Sequence, residues 1–98
     1  SKARVPNQPE LPTVGETVPG FEFYSWYGLW GPANLPKDIA AKLNAEVNKA
    51  LASPDVREKL VAAGIDPVGG TSAHFGEFIQ SEMTRWAKVA DTAGVKPE

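Results

Sequence analysis

The chain is 98 residues long, and its 42% hydrophobic and 22% charged residues are typical of one ordinary globular unit. Ten lysines and arginines against twelve aspartates and glutamates give a net charge of -2. This balance leaves no basic stripe to neutralise phosphates, so it argues against nucleic acid and anionic membrane surfaces as partners. The absence of cysteine excludes disulfides, thiolate nucleophiles and cysteine-ligated metals.

Residues 1–20 are rich in proline and glycine, which remove backbone donors and interrupt both helices and strands. The residues concerned are Pro6, Pro9, Pro12, Gly15, Pro19 and Gly20. We interpret this segment as an extended connector and place a compact α/β portion at residues 21–98. Because a connector needs something to connect, we expect the chain to be a fragment of a larger protein.

Residues 21–30 alternate in a way that predicts a long aromatic strand. One face carries Phe21, Phe23, Ser25, Tyr27 and Leu29, and the other carries Glu22, Tyr24, Trp26, Gly28 and Trp30. Both faces are largely apolar, as in a strand covered by helices on both sides. The pattern therefore favours an α/β fold with this strand buried.

Three helices are predicted after the aromatic strand, beginning near Pro36, at 54–64 and at 71–94. Ser53 serves as the N-cap of the second, and Thr71 or Ser72 as that of the third. Their apolar stripes are Ile39, Leu43, Val47 and Leu51, then Val56 and Leu60, then Phe75, Phe78, Ile79, Met83, Trp86 and Val89. Residues 65–68 are predicted to form a short second strand.

No set of residues in the chain resembles a catalytic centre. His74 is the only histidine, so neither a histidine-based metal site nor a nucleophilic triad finds its partners within one chain. Gly69, Gly70 and Thr71 precede a helix and could bind an anion, but a turn and an N-cap explain them as well. We therefore predict no enzymatic activity, no catalytic residue, no metal and no cofactor.

Tyr24, Trp26 and Gly28 are the candidate ligand-binding residues. Tyr24 and Trp26, together with Trp30 on the same face, could form a wall against a ligand, and Gly28 lets another group approach the backbone. The alternative is that these aromatic side chains pack as core against the helices, since large aromatics contribute most of the area of a small core. Core packing is the simpler of the two interpretations.

Many short motifs in the chain resemble the closing section of one receptor family. In the first third they are Arg4, Pro9-Glu10-Leu11-Pro12-Thr13, Glu16, Pro19-Gly20-Phe21-Glu22, Ser25-Trp26-Tyr27-Gly28-Leu29 and Gly31-Pro32-Ala33. Beyond them are Leu43-Asn44, Ser53-Pro54-Asp55-Val56-Arg57, Gly69-Gly70-Thr71, Arg85-Trp86 and Gly94-Val95-Lys96-Pro97-Glu98. Together they resemble the substrate-binding receptors of tripartite tricarboxylate transporters, also called Bug or TctC-like receptors, over essentially the whole chain.

The resemblance implies a periplasmic, non-catalytic receptor of two α/β lobes around a cleft. Such a receptor captures small carboxylates and delivers them to the permease subunits of the transporter in the membrane. Family members are much longer, so this chain would be the carboxyl-terminal portion of a two-lobed periplasmic binding protein. Residues 26–32 would then run from one lobe towards the other, which implies a scaffold and hinge with weak or no ligand binding alone.

A free-standing interaction module is the alternative interpretation of the same sequence. In it, sheet surface left uncovered by a missing lobe forms a homodimer.

Overall fold

The computed structural model describes residues 1–96, and every regular element in this range is a helix. In chain order they are α1 (Val14–Thr17), α2 (Lys37–Ala52), α3 (Pro54–Ala62) and α4 (Ser72–Ala93). The chain forms two units, one comprising Ser1–Trp30 and the other beginning at Gly31. The domain boundary predicted at residue 20 stays a prediction.

The first unit contains α1, a single helical turn inside the segment predicted to be an extended connector. Thr13 is its N-cap, and the Thr13 backbone N–H donates to Glu16 Oε2 at 2.7 Å. The Arg4 guanidinium donates two hydrogen bonds to the same carboxylate, from Nε to Oε2 at 2.9 Å and from Nη2 to Oε1. Its Nη1 donates to the Pro9 carbonyl at 3.0 Å. Polar contacts therefore close this segment into a loop.

The pKa of Glu16 lies at about 2, because Arg4 and then the Thr13 backbone N–H hydrogen-bond to its ionised form. A lowered folded-state pKa stabilises the folded unit above the ordinary glutamate pKa, and the stabilisation disappears as the pH falls towards 2. In a carboxyl-carbon NMR titration of the chain, we expect the Glu16 midpoint at about 2.

The Arg4→Gln variant should raise this midpoint towards the ordinary value, while the retained Thr13 contact keeps it somewhat lower. Arg57→Gln, which removes an arginine from α3, is the matched control and should leave Glu16 unchanged. A wild-type midpoint near the ordinary glutamate pKa of about 4.3 would contradict the ion pair.

Helices α2 and α3 begin close to the predicted positions, and α3 ends at Ala62, two residues before the predicted end at residue 64. Pro36 is the N-cap of α2, and Ser53 ends α2 and serves as the N-cap of α3, with Pro54 in its first turn. Gly64 follows α3 with φ of 79°, and the amide of Ile65 donates back to the Leu60 carbonyl at 2.8 Å. This is a Schellman ending, which a left-handed glycine permits without strain.

Helix α4 is capped at both ends. The hydroxyl of Thr71 accepts a hydrogen bond from the His74 backbone N–H at 3.0 Å. Gly94 ends the helix in the left-handed conformation, with φ of 74°, and the amide of Val95 donates to the Ala90 carbonyl at 2.9 Å. Of the two N-caps considered for this helix, Thr71 is the correct one, and Gly94 ends it as predicted.

The prediction of an α/β fold with two strands is wrong. Residues 21–30 contain no β-bridge, and neither do residues 65–68. A strand exists only when it pairs with a neighbouring strand, and residues 1–96 supply none for the aromatic segment. Over 65–68 the backbone is also short of donors, because Ile65 donates to the end of α3 and Pro67 has no N–H.

No hydrophobic side chain is buried among the described residues. The apolar stripe of α2 is half-uncovered, with Ile39 at 45% and Leu43 at 47% exposure, and on α4 Met83 is 62% exposed. Glu82 is the only buried polar side chain in residues 1–96. The amphipathic faces of the helices thus lie open.

Candidate functional site

The aromatic segment, residues 21–30, alternates in exposure as its sequence alternates. Glu22, Tyr24 and Trp26 are half-buried, whereas Phe21, Phe23, Ser25 and Tyr27 are exposed. This period of two matches the backbone of an extended chain, in which successive side chains point to opposite sides. The structure therefore retains the two faces of the predicted strand without the strand itself.

The three candidate ligand-binding residues differ in their surroundings. The Tyr24 hydroxyl accepts a hydrogen bond from the Lys2 backbone N–H at 2.9 Å. The ring of Trp26 lies 5.9 Å from that of Trp30, at an interplanar angle of 43°. Gly28, between the two tryptophans in sequence, is exposed. Trp30, which the sequence places on the same face as Tyr24 and Trp26, thus contacts Trp26 in the structure.

The opposite face of the segment is open. Phe21, Phe23, Tyr27 and Leu29, on one face of the strand that the sequence predicts to be buried, are exposed, with Tyr27 at 85%. A core interpretation needs a partner layer, and no buried hydrophobic residue exists in the described range to provide one. The half-buried face is therefore the one with Tyr24 and Trp26.

The structure offers no anion site at Gly69, Gly70 and Thr71 and no metal site in its described residues. Gly70 N–H donates to the Asn48 side chain at 2.7 Å, so this amide is already bound and is not free for an anion. Within residues 1–96, no cluster of three or more histidine or acidic side chains could hold a metal ion. Depressions on the outer faces of α3 and α4 are open and are each lined by a single helix.

A second polar group, which the sequence did not single out for function, surrounds Glu82. Its Oε2 accepts from the indole N–H of Trp86 at 2.8 Å, and its Oε1 lies 3.4 Å from Nη1 of Arg85. The Arg85 guanidinium also lies 5.6 Å from the centre of the Trp86 ring. A spacing of three residues along α4 places Glu82 and Arg85 on one face of the helix, but the burial of Glu82 does not follow from spacing.

Comparison with known proteins identifies the class of protein. Residues 1–95 match the family model of the tripartite tricarboxylate transporter family receptor. The chain therefore belongs to this family, as its motifs predict. Members are substrate-binding receptors and not enzymes, which confirms the prediction of no enzymatic activity, and they are generally periplasmic. None of the helices within residues 1–96 is long and apolar enough to cross a membrane.

The chain is also similar in sequence to three individual proteins. The chain is 42% identical over 88 residues to a UPF0065 protein from the tcbD-tcbE intergenic region of Pseudomonas sp. (strain P51), covering 88% of this chain and 26% of the relative. It is 34% identical over 86 residues to one from the clcB-clcD intergenic region of Pseudomonas knackmussii, covering 86% and 51%.

A third relative, a UPF0065 protein of Bordetella bronchiseptica, is 25% identical over 89 residues, covering 91% of this chain and 27% of the relative. The chain thus spans between about a quarter and a half of the length of these relatives. No solved structure matches it.

Proposed function

We propose that the chain is the carboxyl-terminal portion of a periplasmic receptor that captures small carboxylates for a tripartite tricarboxylate transporter. In this proposal it acts as scaffold and hinge, and it binds ligand weakly or not at all on its own. The permease subunits of the transporter are the partners of the intact receptor. Family membership supports this function, and the surface of the chain supports the role of one part in a larger body.

The accessible surface is the observation that carries the proposal. The chain exposes 8433 Å², whereas a compact monomer of 10.5 kDa exposes about 5,400 Å². The surplus is still about 1,900 Å² when the two units are taken as separate compact bodies. Obligate interfaces bury roughly 2,000–5,000 Å² in total, which is about 1,000–2,500 Å² on each partner, so the surplus fits a chain covered by more polypeptide.

The position of the boundary between the two units supports the hinge role. The first unit ends at Trp30 and the second begins at Gly31, within the segment 26–32 that the resemblance places between the lobes. Hinges are a few residues at the ends of elements that absorb changes in backbone angle. Residues 26–32 contain no helix or strand that would resist such a change.

Tyr24, Trp26 and Gly28 are proposed to contact the ligand in the intact receptor. Tyr24 and Trp26 lie on the half-buried face of the aromatic segment, where an apolar wall could meet the carbon skeleton of a carboxylate. The exposed Gly28 leaves the backbone open to close approach. These three residues supply no positive charge, so the carboxylate groups would be held by other parts of the receptor.

A chimera tests the proposal. The 88 matched residues of the Pseudomonas sp. (strain P51) relative are replaced by those of this chain, and thermal stabilisation by succinate, citrate and glutamate is measured for parent and chimera. We expect a folded chimera that responds to the same carboxylate as the parent. Trp26→Ala should weaken binding by roughly tenfold through the loss of apolar contact, while Trp86→Phe should leave it unchanged.

The isolated chain gives the complementary measurement. In the Trp86→Phe variant, Trp26 and Trp30 are the remaining tryptophans, and we expect no saturable change of their fluorescence with any of the three carboxylates. Micromolar quenching would show a working site in this chain and contradict the scaffold role. A parent receptor that responds to no carboxylate would contradict the ligand class, and an unfolded chimera would contradict the structural equivalence.

The homodimer stays untested as an alternative. Its proposed surface is not available, because residues 1–96 contain no sheet. Light scattering on the isolated chain separates this alternative from the receptor proposal.

A further inference from the structure

The side chain of Asn48 forms a ring of two hydrogen bonds with the backbone of Gly70, 22 residues away. Its Oδ1 accepts from the Gly70 N–H at 2.7 Å, and its Nδ2 donates to the Gly70 carbonyl at 2.8 Å. Asn44, one turn earlier on α2, also donates to the Gly70 carbonyl, at 3.0 Å. Two carboxamides on one face of α2 thus hold one residue of the connection between α3 and α4.

The orientation of the Asn48 carboxamide is specified by its partners. Its Nδ2 also donates to the Asn44 carbonyl at 2.9 Å. The reverse orientation would set Oδ1 against the carbonyl oxygens of both Asn44 and Gly70, which have no proton to offer. The network therefore accepts an amide at position 48 in only one arrangement.

The connection itself is shaped to fit this contact. Gly69 and Gly70 have φ of 68° and 119°, values that residues with a side chain rarely adopt. A Cβ at Gly69 would lie 2.5 Å from Asn48 Oδ1 and 3.5 Å from Leu51 Cδ1. The backbone at Gly69 therefore lies so close to α2 that a side chain at this position would displace Asn48.

We propose that Asn44, Asn48, Gly69 and Gly70 form an asparagine latch, a conformational device that ties the connection 65–71 to α2. Thr71, directly after the latch, is the N-cap of α4, so the latch fixes where α4 begins relative to α2. No buried hydrophobic residue takes over this task in the described part of the unit. Opening the latch releases the start of α4 from α2.

The Asn48→Asp variant in the full chain tests the latch through its dependence on pH. At pH 7 the carboxylate has no proton for the carbonyl oxygens of Asn44 and Gly70 and repels both, so it moves away from Gly70 and the Gly70 N–H loses its acceptor. Protonation at pH 3, below the ordinary aspartate pKa of about 3.9, restores a donor, and the carboxylic acid can then form the same two-bond ring. The latch should therefore close again in acid.

The readout is hydrogen exchange of the Gly70 amide, measured by NMR as the ratio of variant to wild type at each pH. We expect the amide to exchange about tenfold faster or more in Asn48→Asp at pH 7, from the net value of one to two lost hydrogen bonds. At pH 3 the ratio should fall towards one. The ratio removes the intrinsic effect of pH on exchange.

Asn48→Ala is the control for other titrating groups. His74 lies close to Gly70, with Cδ2 3.8 Å from the position of an added Cβ, so the control has to retain this side chain. Asn48→Ala retains His74 but has no carboxyl group, so its Gly70 amide should stay fast at both pH values. Helical circular dichroism shows whether each variant is folded, and recovery of Asn48→Asp in acid is informative even if it unfolds at pH 7.

Two results would overturn the latch. One is an unprotected Gly70 amide in the wild-type chain. The other is a ratio for Asn48→Asp that is the same at pH 3 and pH 7, or that follows the pH in the same way as the ratio for Asn48→Ala.

Discussion

Replacing Gly69 by alanine is expected to lower the free energy of unfolding of the second unit by about 2–5 kcal/mol, the sum of backbone strain and overpacking. The new Cβ would meet Asn48 Oδ1 at 2.5 Å, and it would do so on a residue with φ of 68°. The two effects act together, because moving the backbone away from α2 breaks the bonds between Asn48 and Gly70. Urea denaturation followed by circular dichroism measures the loss.

Gly64→Ala is the matched control for strain without a clash. Gly64 has φ of 79°, close to that of Gly69, but nothing lies within 4 Å of an added Cβ there. We expect it to cost only about 1 kcal/mol. Equal losses in the free energy of unfolding for the two variants would show that only backbone strain acts at Gly69. The Asn48 side chain would then move away from the new Cβ at no cost.

Replacing Glu82 by alanine is expected to destabilise the second unit by about 1–3 kcal/mol, because the indole N–H of Trp86 loses its acceptor in a partly buried place. Glu82 is 7% exposed and accepts that N–H at 2.8 Å. Arg85 loses its ion pair at the same time. The Trp86 indole proton should shift in the NMR spectrum, and the unfolding midpoint in urea should fall.

Glu82→Gln separates the hydrogen bond from the charge. Glutamine retains an oxygen that can accept from Trp86 but carries no charge for Arg85, so we expect less than half of the loss seen with alanine. If glutamine and alanine cost the same, the charge pair with Arg85 matters and the indole contact does not.

The helices of the second unit were predictable because their signals are local. Pro36, Ser53, Thr71 and Gly94 lie at the helix ends that they mark in sequence, and each acts within one turn of its own position. Helix α1 was missed, although Thr13 and Glu16 have the spacing of a capping box, because prolines and glycines surround them. A short capped turn is easily hidden in such a segment.

The prediction of a strand at residues 21–30 was wrong because strand formation depends on contacts outside the segment itself. Alternation in the sequence matches the alternating exposure of residues 21–27, but a strand also needs a neighbour, and the sequence of one segment does not supply it. The prediction that this segment is buried fails for the same reason. Phe21 and Tyr27 are aromatic and yet exposed. Burial depends on what covers a residue as well as on its type.

Of the candidate site, the sequence indicated the aromatic face but not its partners. Tyr24 and Trp26 were chosen from alternation, while the contacts with Lys2 and Trp30 are visible only in three dimensions. The Asn48–Gly70 ring was equally hidden, because 22 residues separate its members. Contacts at that separation follow no periodic pattern.

The open apolar faces of α2 and α4 bear on the fate of this chain in a cell. Uncovered leucine, isoleucine and tryptophan side chains are what chaperones and proteases recognise in incompletely assembled proteins. The described residues leave such side chains accessible on both helices. The lifetime of the chain is therefore expected to depend on how soon other polypeptide shields these faces, in addition to the stability that its helix caps and hydrogen bonds supply.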